Sequence, residues 1–247
     1  ASDFMNEVRM VKTVDEVNCL KTVAAMCEAA WHKSWETIKP GVYDNELSRI
    51  AVDTLLRAGA DDTGPVAWRT GPLTFDRGFD RPGRMIQTGD LAYAAMCGVQ
   101  YLGYRSCNYR TFIAGRKPNA KEKDWYKQVV DRIDAIIDGT KPGVSTADLA
   151  TFFPPATKWG YKDELEVLTM EVAHGIGLYQ YEYPVINRQW SLKHPQILEE
   201  GMTFAVESRE GQEGEGGVRM ENMIVVTKDG AEILDHFPRD EIMAPPG

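Results

Sequence analysis

A Lys-Pro-Gly-Val loop occurs twice in the chain. Ile38-Lys39-Pro40-Gly41-Val42 is followed by Leu47, and Thr140-Lys141-Pro142-Gly143-Val144 by Leu149, an offset of 102 residues in both cases. Apolar residues at three- and four-residue steps precede each copy: Val14, Val17, Leu20, Val23, Ala24, Cys27, Trp31 and Trp35 in the first half, and Trp125, Val129, Ile133, Ile136 and Ile137 in the second. That period marks one face of a helix. The Pro-Gly pair ends the helix, because proline cannot continue it and glycine accepts the left-handed turn. Asp44 or Asn45, and Ser145 or Thr146, are placed to cap a second helix, expected over about 45–58 and 146–158. Strand-like stretches follow at Leu91–Cys97 and Tyr109–Ala114, then at Thr203–Ser208 and Met223–Thr227. The matched context predicts an internal duplication. Two ααββ halves related by a pseudo-twofold would share a curved antiparallel sheet with helices outside, leaving a crevice on the other face. Between the last strands, the acidic, glycine-rich 210–217 segment reads as a mobile hairpin loop.

At 247 residues, 43% hydrophobic and 26% charged, the chain fits one α/β domain with a sizeable core. No apolar run approaches the ~18 residues of a membrane span, and no export signal is recognised. The net charge of −9, with no basic cluster, disfavours nucleic acid as a partner. Four cysteines, Cys19, Cys27, Cys97 and Cys107, lack metal-knuckle spacing. A reduced, cytoplasmic protein is the expectation. The first residue is Ala1, which suggests a processed or truncated product.

Several separate motifs then converge on one resemblance. The repeat, His174-Gly175-Ile176-Gly177-Leu178, the stretch Glu200-Gly201-Met202-Thr203-Phe204-Ala205-Val206-Glu207, and Arg219-Met220-Glu221-Asn222 with Val225-Val226-Thr227 resemble the methionine-aminopeptidase, prolidase and creatinase superfamily. Gly103-Tyr104 followed by Arg110-Thr111 matches that family's central strand pair, and the similarity runs from about Arg9 to the C-terminus. The resemblance implies the α/β "pita-bread" fold, a homodimer, and a single catalytic domain over residues 1–247. That domain is expected to stand alone or to be the C-terminal part of a longer chain.

In the family's metallopeptidases, two divalent metals are held by two Asp, one His and two Glu. The carboxylates offset the charge of two hard cations, which activate a water for attack on an amide. His174, Glu207 and Glu221 match three of those ligands; the Asp positions fall at Met96 and Cys107, and no Asp or Glu lies between Leu91 and Thr111. A Met thioether is a poor ligand for Mn²⁺, Co²⁺ or Zn²⁺. The expectation is therefore no metal or other cofactor. The alternative is one Zn or Mn ion held by Cys107, His174, Glu207 and Glu221.

The chain resembles the metal-free creatinase and ectoine hydrolase branches most closely in character. They hydrolyse C–N bonds in small, polar, nitrogenous substrates, so the same reaction on a non-peptide substrate is expected here. His174, Glu207 and Glu221 would be the catalytic acid/base and substrate-binding groups, and Trp68, Tyr104, Cys107, Tyr109, Arg110 and Tyr181 would line the substrate site. The loop before the central strands holds no His to match creatinase's. It offers Trp68, Arg69, Phe75, Asp76, Arg77, Phe79, Asp80, Arg81 and Arg84. The glycines beside His174 would admit a ligand close to the backbone. Without a metal, Glu207 and Glu221 need a positive partner, either a cationic substrate or one of Arg105, Arg110, Arg209 and Arg219. Glu171 and Glu182 read as solvated. Competing functions are a lyase like the family's dimethylsulfoniopropionate-cleaving branch, a non-catalytic protein-binding module, and a mononuclear-metal peptidase.

Overall fold

The structure, a computed structural model, describes residues 2–76, 82–167 and 172–245. Arg77, Phe79, Asp80, Arg81 and Glu171, named above from the sequence, lie outside the described residues. The helices are α1 (Ser2–Met10), α2 (Val14–Thr37), α3 (Asp44–Arg57), α4 (Ala120–Gly139) and α5 (Thr146–Ala150). The strands are β1 (Ala67–Thr70), β2 (Leu91–Ala95), β3 (Gln100–Tyr101), β4 (Tyr104–Arg105), β5 (Tyr109–Ile113), β6 (Val172–Gly175), β7 (Glu182–Ile186), β8 (Thr203–Gln212), β9 (Gly216–Val226) and β10 (Ala231–Ile233).

The main sheet runs β1-β2-β5-β9-β8-β6-β7, with β10 also on β9, and its strand pairs are antiparallel. The expected two-halved α/β architecture is present, helices on one side of a continuous sheet. The halves meet where Tyr109 of β5 pairs with Glu221 of β9. Thr111 reinforces the seam: its Oγ1 donates to the Arg219 carbonyl and accepts from the Arg219 N–H.

Each half has its own core. Leu20, Val23, Cys27 and Trp31 of α2 and Leu47, Ala51 and Leu55 of α3 pack against Trp68, Ala92, Ala94 and Phe112 of the first half. Tyr126, Val129, Ile133 and Ile136 of α4 pack against Ala173, Phe204, Val206, Met220 and Ile224 of the second. Burying each large aliphatic side chain stabilises the fold by about 1.5–3 kcal/mol, which is why the helical stripe rather than the loop chemistry holds the halves together.

The first helix of each half opens with a capping box. Thr13 accepts from the Glu16 N–H while Glu16 reaches back to Thr13, and Asn119 and Glu122 do the same for α4. Both boxes were readable as Thr-x-x-Glu and Asn-x-x-Glu. Two expectations fail locally. Asp44 and Asn45 do not cap α3, whose N-cap is Tyr43 with no side-chain bond, although Ser145 does cap α5 by accepting from Ala147. The second copy of that helix stops at Ala150, not near 158, because Pro154-Pro155 cannot extend it. The 210–217 segment is mostly strand: β8 and β9 pair down to Gln212 and Gly216.

Glu122 ties the α4 box to the protein's pH response. Burial opposes its ionisation most, but Arg116 and the Asn119 N–H together outweigh burial and hold the carboxyl below its ordinary value of 4.5. A carboxyl depressed in the folded state contributes stability above the unfolded pKa, and this is lost as pH falls through the folded one. Glu122→Gln is expected to lower stability at pH 7 by on the order of 1 kcal/mol or less. It should also flatten the acid limb below pH ~4.5, where urea melts of the two proteins converge.

Candidate functional site

Side chains alternate across a strand, so parity decides which of the sheet's residues face away from the helices. The cross-strand registers place Tyr93, Tyr109, Arg219, Glu221, Glu207 and His174 on that inner face. Glu207 and Glu221 are direct cross-strand partners on β8 and β9, and both are at most 1% exposed. Two facing carboxylates repel strongly in such a position.

They are neutralised differently. Arg219 donates from Nη1 to Glu207 Oε1, and the guanidinium lies over Tyr93 and Tyr109, 5.4 Å from each ring centroid. Glu221 faces other groups. Its Oε2 is 3.8 Å from Cys97 Sγ, and its Oε1 is 3.5 Å from His174 Nε2. Cys97 and Cys107 Sγ are 2.8 Å apart, and Cys97, Cys107 and Glu221 bring three donor atoms within 4.8 Å of one another. Burial pushes the Cys107 thiol well above its usual range, with Cys97 and the two glutamates adding to the shift.

His174 is 2% exposed and is fixed from two sides. Its Nδ1 lies 3.1 Å from the Gly175 carbonyl, an acceptor that calls for a proton on Nδ1, and its Nε2 is turned toward Glu221. The Tyr181 ring, half exposed, rests against the imidazole at 4.3 Å between centroids. Gln180 Nε2 donates to Cys107 Sγ over 3.7 Å.

Parity removes three residues named from the sequence. Trp68 pairs with Ala94 and turns toward the helices, where it is fully buried against Trp31 and Phe112; the inner-face neighbour is Arg69. Arg110 also points outward, donating to Asp235 and to the Glu221 carbonyl, and serves the seam rather than the site. Met96 continues the ladder by bonding its N–H to the Asn108 carbonyl, so its side chain falls on the helix side, opposite Cys97. Tyr104 lies elsewhere, its hydroxyl donating to Glu16 on α2. Cys107, Tyr109 and Tyr181 do lie with His174, Glu207 and Glu221 around the inner face.

The glycines beside His174 serve packing, not ligand access. A Cβ at Gly175 would meet the Tyr183 carbonyl oxygen at 2.1 Å, and one at Gly177 would meet Glu182 Oε2 at 2.6 Å. Glu182 is buried, not solvated, bonding Lys12 at 2.8 Å. His32 meets Phe237 edge-on and His194 lies tilted against Trp190, away from the site.

This sheet and inner face define a two-halved α/β fold of the pita-bread type. Residues 18–228 match the sequence model described as Metallopeptidase family M24, and the chain belongs to that family. It is 28% identical to an Xaa-Pro dipeptidase of Lactobacillus helveticus, over 97% of this chain and 63% of that one. It superposes on the dipeptidase PepE of Mycobacterium ulcerans with a TM-score of 0.87 at 26% identity, covering 100% of this chain and 64% of the other. For the Pyrococcus furiosus prolidase the values are 0.85 and 25%, over 96% and 68%. The chain thus spans about two thirds of the length of these relatives.

These findings correct two expectations. A metal-independent, creatinase-like hydrolase of non-peptide C–N bonds is overturned by membership in a metallopeptidase family and by relatives named as dipeptidases. The absence of a metal cofactor falls with it. The two-ion carboxylate cage itself does not fit this chain, however. Of the two positions where that cage needs an aspartate, Cys107 holds a thiol and Met96 turns to the helix side, and Glu207 is committed to Arg219. Among the described residues, no helix is long and apolar enough to cross a membrane.

Removing one partner of a buried ion pair leaves an uncompensated charge and costs about 3–5 kcal/mol. Arg219→Met is expected to lose that much in denaturant melts. Adding Glu207→Gln should recover most of it. A single-variant loss under ~1 kcal/mol would show that Glu207 is neutralised by another group.

Proposed function

We propose that the inner face hydrolyses the amide bond of dipeptide-sized substrates, in a protein that depends on a divalent cation. The observation that carries this reading is the buried His174–Glu221 pair, 3.5 Å apart, in a chain that matches a metallopeptidase family over residues 18–228. The names of the dipeptidase and prolidase relatives support the substrate class. The homodimer implied by the family resemblance belongs to this proposal.

Amide hydrolysis requires a proton to leave the attacking water and another to reach the departing nitrogen. His174 Nε2, turned toward Glu221 and with its ring held by Gly175 and Tyr181, is the group set to take and return that proton. Glu221 fixes the orientation of an imidazolium as it forms. Glu207, held by Arg219, contributes a fixed hydrogen-bonding wall beside the pair rather than a free charge. Tyr181, at the exposed edge of His174, supplies an aromatic wall for a small side chain, and Tyr109 supports Arg219 from below.

A panel of Xaa-Pro and Xaa-Xaa dipeptides, read by release of free amino acid, tests the reading. Hydrolysis should stop on incubation with chelator. His174→Ala should lower kcat by about 10²–10⁴-fold, the usual worth of a positioned acid/base. No release from any dipeptide by cation-supplemented wild-type protein would refute the proposal.

A further inference from the structure

We infer that Cys97, Cys107 and Glu221 form a site for one thiophilic divalent cation of the Zn²⁺ class, in place of two ions in a carboxylate cage. The role of the ion in turnover rests on the peptidase reading above; its binding does not.

The three donor atoms already lie within 4.8 Å of one another, and all three residues are buried. Bond lengths of ~2.3 Å to sulfur and ~2.1 Å to oxygen in a tetrahedral site separate a sulfur from an oxygen ligand by ~3.6 Å. Cys97 Sγ and Glu221 Oε2 stand at 3.8 Å. The two sulfurs, at 2.8 Å, would part by about 1 Å to straddle an ion, a movement within reach of small χ1 rotations.

A second observation calls for positive charge at the same place. Glu221 Oε1 and His174 Nε2 are both buried without a hydrogen-bond partner. The two atoms face each other at 3.5 Å. A cation held by Cys97, Cys107 and Glu221 would supply this buried carboxylate with a positive partner. Among the described residues, the neighbouring carboxylate already has its cation, since Arg219 supplies Glu207 with the charge a second metal would bring.

The donor chemistry sets both stoichiometry and type. Two thiolates and one carboxylate balance one divalent ion with a single negative charge over, and three protein ligands leave a fourth position open. Thiolates favour Zn²⁺ and similar borderline ions, whereas Mn²⁺ favours carboxylate and water. As the ion enters, both thiols release their protons to solvent.

The test uses the whole chain, reduced and stripped with chelator, then dialysed against Zn²⁺, Mn²⁺ or Co²⁺ without substrate. About one Zn²⁺ per chain should remain by elemental analysis, with Mn²⁺ retained far less. Co²⁺ should give a near-ultraviolet sulfur-to-metal charge-transfer band. Cys97→Ser and Cys107→Ser should each cut the band by about half or more and lower Zn²⁺ affinity at least ~10-fold, as loss of a ligand does. Cys19→Ser, away from the site, should change neither. If a variant fails to fold, the wild-type Co²⁺ spectrum and stoichiometry decide alone. Two Mn²⁺ per chain without a sulfur band, no retained ion, or a Cys97–Cys107 disulfide that persists in reductant would each overturn the inference. Failure of the peptidase reading is separable: the ion would bind as described while no dipeptide is cleaved.

Discussion

The β8–β9 register sets Glu207 directly opposite Glu221 in a place that water does not reach. Two carboxylates so placed repel each other, and the surrounding structure can be read as the response to that repulsion. Arg219, two residues before Glu221 on the same face, turns back onto Glu207 and is held beneath by the faces of Tyr93 and Tyr109. Its own backbone is clamped by Thr111 at the seam between the halves. One carboxylate is thereby satisfied from within the protein. Glu221 is left with two thiols and an imidazole, none of which is a fixed cation. The asymmetry between two residues at equivalent depth is the chemical character of the site.

How much of this was legible in the sequence depended on the distance over which each signal acts. The duplication was plain, because a Lys-Pro-Gly-Val loop after a helical stripe reports on contiguous residues and recurs with its surroundings. The separate cores of the two halves follow from the same stripes. Strand parity was not legible to the residue. A shift of one position exchanges Trp68 for Arg69 and Met96 for Cys97 across the sheet, since the side-chain period is two. Arg110 shows the same limit. It belongs to a recognisable motif, yet the motif gives no information on which face of β5 it occupies, and the structure spends it on Asp235.

Signals that were present were also weighed for the wrong role. The glycines around His174 were read as room for a ligand, although the room is filled by the Glu182–Tyr183 backbone and the Glu182 side chain. Glu182 looked solvated because its partner, Lys12, lies 170 residues away in the chain. No local pattern carries such a pairing. Pro154-Pro155 likewise signalled a short α5, although a helix to about 158 was expected, and the glycines of 210–217 hid the extension of the β8–β9 hairpin.

The expectation of a metal-free enzyme failed for a related reason. It kept a single ion on Cys107, His174, Glu207 and Glu221 only as the alternative, and let the loss of the two aspartates decide for no ion. Family membership alone overturns that step. The geometry explains why the step was weak: a ligand set is defined by atoms that converge, not by the residue types at fixed alignment positions. Replacing a carboxylate by a thiol at Cys107, beside a second thiol one position from the vacated strand site, changes the softness and number of donors without emptying the space. Such a change shifts which ion is favoured and how many are held before it removes the need for one. Under the proposed reading, Arg219 completes that exchange, since a guanidinium fixed on Glu207 makes the second ion redundant while leaving His174 facing Glu221.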